Sequence, residues 1–238
     1  MCDKNHIHSV ECGATRRRLL AAVGGGVMGV TVPGLLPTAA TAQDRPNPAD
    51  LTPKDALDLL YTGNQRFSVG KPEAPHRDLD RLNEVAPAQK PFAAFLGCAD
   101  SRVPIEIVFD QGFGDLFVTR IAGNVSTPEI TGSLEFGTLV LGAKVLFVLG
   151  HTNCGAVTAA VKANEVPGQI SSLFYHIRPA ARAAKGDVAA AVKENVRNQM
   201  DVLREASPVI ARLVRQGKLI VAGGVYNLAT GKVIPVDN

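Results

Sequence analysis

Excess charge is almost missing from this sequence. Its 25 Lys and Arg stand against 22 Asp and Glu, a formal net charge of +3. Aromatic residues make up only 5% of the chain, and outside the N-terminus no basic run is interleaved with them. That argues against a nucleic-acid binder, whose footprint is a basic patch or stripe. Cysteine is scarce as well. The four are Cys2, Cys12, Cys98 and Cys154, and no two stand in the C-x-x-C arrangement of thiol–disulfide exchange proteins. No internal repeat or low-complexity block stands out. What is present is a globular balance, 46% hydrophobic and 20% charged over 238 residues, enough for one domain with a real core.

A long uninterrupted apolar run is also lacking. The best candidate, Leu19 to Leu36, is long enough for an uncleaved membrane anchor, the alternative reading, but six of its residues are Gly or Pro and its hydrophobicity is low. Its surroundings fit an export signal instead. A basic stretch precedes it, and Ala40-Thr41-Ala42 ends it with the small residues of a cleavage site. Thr15-Arg16-Arg17-Arg18-Leu19-Leu20 resembles the twin-arginine motif, read by the translocase that exports folded proteins. The expected division is a signal over 1–42 and one domain over 43–238, with a periplasmic or secreted product. Cleavage would remove Cys2, His6, His8 and Cys12, whose spacing is otherwise open to a metal reading. It would leave 21 basic residues against 20 acidic ones, because the leader carries four Lys/Arg and two Asp/Glu.

Past a Pro/Asp/Asn linker at 44–53, Thr52-Pro53 reads as the N-cap and first position of a helix over 53–69. "GKPEAPHRDLDRL" reads as loop. Apolar runs bounded by Pro or Gly predict buried strands over 91–97, 115–123, 144–150 and 218–228, with a fifth in "GKVIPVD". Helices are expected over 127–142, 154–164, 170–185, 187–206 and 207–217. Continuous apolar strands alternating with helices predict an α/β fold with a mainly parallel central sheet flanked by helices.

In such folds ligands sit beyond the C-terminal ends of the strands. Two strands end there in metal-binding residue types. One runs into Cys98-Ala99-Asp100-Ser101-Arg102, the other into His151-Thr152-Asn153-Cys154. Cys98, His151 and Cys154 make a Cys2His set, and three protein ligands with one open position are the pattern of catalytic zinc. A disulfide between Cys98 and Cys154 is the alternative, because export leads to an oxidising compartment. A protein exported folded can load zinc first, in the reducing cytoplasm, which would protect both sulfurs.

"CADSRVP…FDQGFGDLFVTRIAGN" with "GHTNCGA" resembles the β-class carbonic anhydrases. The likeness extends to "LLYTGNQRF", "ENVRNQM" and "GGVYNLATGKV" and so spans nearly all of the chain past the leader. The resemblance implies reversible hydration of CO2 to bicarbonate through zinc-bound hydroxide, with one zinc per chain on Cys98, His151 and Cys154. It implies that Asp100 and Arg102 form the dyad beside the metal, with Asp100 able to become a fourth ligand if the pair breaks. Gln89 and Phe117 fall where members of the family bind substrate. Phe136 stands where many have tyrosine, and Ala122 where they have valine. A homodimer or higher homo-oligomer is implied too. Two rival functions share these residues. Some relatives of the fold hydrolyse carbonyl sulfide or carbon disulfide, and a non-catalytic zinc protein would need the three ligands but neither the dyad nor Gln89.

Overall fold

Two apolar faces had to be covered by helices, and the chain solves this with a five-stranded sheet between two helical layers. The structure is a computed structural model that describes residues 47–48, 50–163 and 165–237. The expected leader lies outside the described residues. In chain order the elements are α1 (Pro53–Ser68), α2 (Leu79–Val85), β1 (Ala93–Gly97), α3 (Ile105–Val108), β2 (Leu116–Arg120) and α4 (Pro128–Glu135). A π-turn (Phe136–Val140) follows, then β3 (Val145–His151), α5 (Gly155–Val161), α6 (Ile170–Ala183), α7 (Val188–Ala206), α8 (Pro208–Arg215), β4 (Ile220–Tyr226) and β5 (Val233–Pro235). Among the described residues no helix is long and apolar enough to cross a membrane.

The sheet order is β2-β1-β3-β4-β5. All pairings are parallel except β4 with β5, which is antiparallel. β1 and β3 are buried along their whole lengths, as continuous apolar strands should be when both faces are covered. Side-chain alternation divides β1 between two cores. Ala94, Leu96 and Cys98 face the layer of α4–α8, with Ile177, Val196 and Met200. Ala93 and Phe95 face α1 and α3, where Phe95, Phe109 and Phe147 pack with ring centroids 5.0–5.4 Å apart. Gly150 and Gly223 let α7 lie close on the sheet: a Cβ at either would come within 2.7 Å of a Val196 methyl.

The chain leaves β1 for β2 on one side and returns to β3 on the other. The C-terminal ends of β1 and β3 therefore flank a topological switch point, where α/β sheets open a crevice for ligands. Gly97 is in register with Leu149, so the residues after β1 lie beside the last residues of β3.

Several local expectations are corrected. The segment read as loop contains α2, capped by the Asp78 carboxylate, which accepts the Arg81 N–H at 2.7 Å. It buries no residue, so it shows no apolar period. The helix expected over 127–142 stops at Glu135 and continues as the π-turn, where the Thr138 hydroxyl donates to the Leu134 carbonyl at 2.8 Å. β2 ends at Arg120 rather than 123, because Gly123 and Asn124 take positive φ values of 76° and 43° and turn the chain away.

Candidate metal centre

The centre assembles from the ends of the two central strands. Cys98 follows β1 directly, on the face pointing toward α5 and α7. His151 ends β3 and is fully buried, and Cys154 is the N-cap of α5 three residues later. The backbone between them is pinned: the Thr152 N–H donates to the Tyr226 carbonyl at 2.9 Å, and the Thr152 hydroxyl accepts the Leu228 N–H at 3.1 Å. Asn153 takes the left-handed conformation, φ 55°, that turns the chain into α5.

The ligand atoms of Cys98, His151 and Cys154 all lie within 4.8 Å of one another, and all three residues are buried. Both cysteines are free thiols, so the disulfide alternative is not what the chain adopts here. The Nδ1–H of His151 donates to the Thr152 carbonyl at 3.0 Å. A carbonyl can only accept, which leaves the lone pair on Nε2. That Nε2 is buried without a hydrogen-bond partner. Zinc bonds of about 2.0–2.3 Å to nitrogen and sulfur fit three such atoms after a small contraction. An unpartnered buried imidazole lone pair facing two thiols is the donor set of that metal.

The electrostatics agree. The Cys98 thiol is pulled down to about 4, first by the Cys154 thiol beside it, against burial, with His151 and the Gly123 N–H helping. The same hydrogen bond, then burial, pushes Cys154 up. The shared hydrogen bond thus favours negative charge on the Cys98 sulfur and opposes it on Cys154. Burial opposes a charge on the His151 ring, yet the adjacent Cys98 sulfur outweighs it and shifts the imidazole upward.

Asp100 stands beside this group, its Oδ2 3.8 Å from His151 Nε2. Arg102 holds it with three bonds: main-chain N–H to Oδ1 at 2.9 Å, Nε to Oδ1 at 2.9 Å and Nη2 to Oδ2 at 2.8 Å. Those side-chain bonds, ahead of an opposing burial effect, keep the Asp100 carboxyl well below the usual carboxylate range. The carboxylate is an ionised acceptor turned to its arginine, and it is not one of the three clustered ligands.

Sequence reasoning missed Arg120. Its Nε donates to the Cys98 carbonyl at 2.9 Å and its Nη2 to the Asp100 carbonyl at 2.5 Å, clamping the turn that carries both residues. A charged residue inside the strand expected over 115–123 was the signal for it. Gly123 was missed too; its N–H donates to Cys98 Sγ at 3.4 Å.

The remaining expected residues do not join the cluster within one chain. Gln89 is exposed in the loop before β1 and so enters at the opposite end of the strand from Cys98. Five residues of β1 alone span about 16 Å. Phe117 is in register with Ala94, well short of the rim, and its ring packs against Phe136 with centroids 6.3 Å apart. Ala122 is half-buried in the turn after β2.

Comparison with known proteins gives one consistent answer. A family model described as carbonic anhydrase matches residues 93–233. Carbonic anhydrase 2 of Mycobacterium tuberculosis is 36% identical over 194 residues, covering 78% of this chain and 94% of that protein. The Coccomyxa β-carbonic anhydrase, solved in complex with acetazolamide, is 29% identical with a TM-score of 0.59, covering 67% of this chain and 78% of that one. A structure from a study of two tetrameric β-carbonic anhydrases of Sordaria macrospora shares the fold at 22% identity, with a TM-score of 0.62 over 66% of this chain and 86% of that one.

Proposed function

The chain belongs to the β-class carbonic anhydrases, and from that premise we propose that Cys98, His151 and Cys154 hold one zinc ion per chain while Asp100, oriented by Arg102, receives the reacting water. The enzyme is a zinc lyase that interconverts CO2 and water with bicarbonate and a proton. The observation that carries the assignment of residues is the buried, unpartnered His151 Nε2 within 4.8 Å of two free thiols.

Zinc bound there supplies a Lewis acid that makes water acidic near neutral pH. The protein's own groups do the rest. The Thr152 carbonyl fixes the tautomer of His151, so its lone pair always faces the cluster. Asp100 Oδ2 lies 3.8 Å from His151 Nε2, where it would accept a hydrogen bond from a water bound at the centre and so orient it. Arg102 occupies the carboxylate from the other side and keeps it off the metal. A storage site needs no such dyad, and the carbonyl sulfide or carbon disulfide reading finds no support among these relatives.

The test is direct. Metal analysis of the purified protein is expected to return one zinc per chain, with Cys98 and Cys154 shielded from thiol reagents until the metal is removed. Stopped-flow assays should show CO2 hydration, with carbonyl sulfide a poor second substrate. A fully active preparation that lacks zinc and holds a Cys98–Cys154 disulfide would overturn the assignment.

Gln89 and the Phe117–Phe136 pair serve substrate across an interface, in a homodimer or larger homo-oligomer. Their distance from the cluster within one chain supports this, as do the exposed apolar side chains of Phe136, Leu139 and Val140 beside the edge strand β2. The Sordaria enzymes that share the fold are tetrameric.

The leader over 1–42 directs export through the twin-arginine translocase to the periplasm or beyond, with cleavage after Ala42; the Arg16-Arg17 pair and Ala40-Thr41-Ala42 support this. Changing Arg16 and Arg17 together to Lys is expected to leave the precursor in the cytoplasm, as cell fractionation would show. Unchanged export of that variant would remove the twin-arginine reading.

A further inference from the structure

Two polar side chains lie on the buried face of α7, where the sequence pattern calls for apolar ones. Asn195 is 1% exposed and Gln199 2%, one helical turn apart between Val192, Val196, Met200 and Leu203. Burying two amides costs free energy unless their hydrogen bonds are made, and here they are made to one another, to the loop 121–126 and to the His176 carbonyl of α6. The Asn195 Nδ2 donates to the Gly123 carbonyl at 2.9 Å. The Ser126 N–H donates to Gln199 Oε1 at 2.7 Å. Gln199 Nε2 reaches Asn195 Oδ1 at 3.3 Å and the His176 carbonyl at 3.4 Å.

The loop they hold, 121–126, has no ladder of its own, and it presents the Gly123 N–H to Cys98 Sγ. The loop's shape is confined from the other side as well. Gly123 has φ 76°, and a Cβ there would sit 2.8 Å from the Ile177 Cδ1 and 3.2 Å from the Ala156 Cβ. The path from α7 to the sulfur is therefore short: Asn195 grips the carbonyl of the residue whose N–H meets Cys98.

We propose that Asn195, supported by Gln199, is a positioning residue of the metal centre: it aims the Gly123 N–H at Cys98 Sγ and so sets how much charge that thiolate donates to the metal. A hydrogen bond to a thiolate stabilises its lone pairs and weakens its donation, and outer groups of this kind tune both metal affinity and the metal's acidity. The inference rests on the zinc assignment above.

The experiment uses Co(II)-loaded protein, in which the thiolate-to-metal charge-transfer band reports the energy of the sulfur lone pairs. In Asn195→Ala the sulfur loses its fixed donor, its lone pairs rise, and the band should move to longer wavelength. Affinity for the metal should change by about 10-fold or more. Gln199→Met, close in volume, should move the band in the same direction by less, and it carries the test if Asn195→Ala does not fold. An unmoved band in a folded, metal-loaded variant, with only a lower melting temperature, would make the amide pair a structural tie and overturn the proposal. Failure of the unmodified protein to bind cobalt or zinc at all would instead sink the metal assignment beneath it.

Discussion

Cys98→Ser is expected to remove the zinc and with it the hydration activity, by about 10³-fold or more. A loss of that size corresponds to about 4 kcal/mol of barrier lowering. The substitution is nearly isosteric, so the buried site keeps its shape and β1 its packing. What changes is the donor. The Cys98 thiol is drawn well below its usual range by Cys154, against burial, with His151 and two main-chain N–H groups helping, whereas a serine hydroxyl stays protonated in the same surroundings. Two ligands then remain, on the single short stretch from His151 to Cys154, and the ion loses its only link to β1. Elemental analysis and stopped-flow hydration measure the outcome, with circular dichroism confirming the fold. A folded Cys98→Ser protein that keeps one zinc per chain and full activity would show that the cluster is not the catalytic metal site.

Arg102→Ala separates catalysis from zinc binding. All three ligands stay in place, so zinc content should remain near one per chain. Asp100, however, loses every bond that its carboxylate takes from the Arg102 side chain, keeping only the main-chain N–H at 2.9 Å. Its Oδ2 is already 3.8 Å from His151 Nε2, so the freed carboxylate would lie beside an ion held by the three ligands. With the fourth position filled, CO2 hydration should fall by about 10²-fold or more. Asp100→Asn should also be impaired, by another route: it cannot close the site as an anion, but it no longer offers a charged acceptor. A crystal structure of Arg102→Ala should show the carboxylate as a fourth ligand. If that variant keeps zinc and full activity, the arginine only packs the rim. Arg120, which holds the Cys98 and Asp100 carbonyls, remains in both variants and limits how far the turn can relax.

Much of this was present in the chain as local pattern. Runs such as "PFAAFLG" and "KVLFVLG", short and bounded by Pro or Gly, carry the signature of strands buried on both faces, and their alternation with capped amphipathic helices leads to a parallel α/β sheet. Thr52-Pro53, Asp187 and Ser207-Pro208 mark helix starts because caps are made by neighbours in sequence. Cys98, Asp100, Arg102, His151 and Cys154 were legible for the same reason: each follows directly on a strand that pattern alone identifies. Where no apolar period marks an element, the pattern is silent. α2 buries nothing and so has no period to read. The π-turn depends on where one threonine hydroxyl finds a carbonyl.

Three things required tertiary structure. The strand order and the alignment of Gly97 with Leu149 brought Cys98 to His151, a pairing set by which apolar faces pack together rather than by either segment alone. The same order put Gln89 and Phe117 away from the cluster they were expected to serve. And Asn195 and Gln199, polar residues on an otherwise apolar helix face, found their partners 72 and 73 residues away. The amino-acid sequence on its own determined the elements and the chemical groups, because dihedral preference, capping and side-chain period act over a few residues. Only the packed fold decided which groups share a site, because a buried polar atom must find a partner and the partner nearest in space is seldom nearest in the chain.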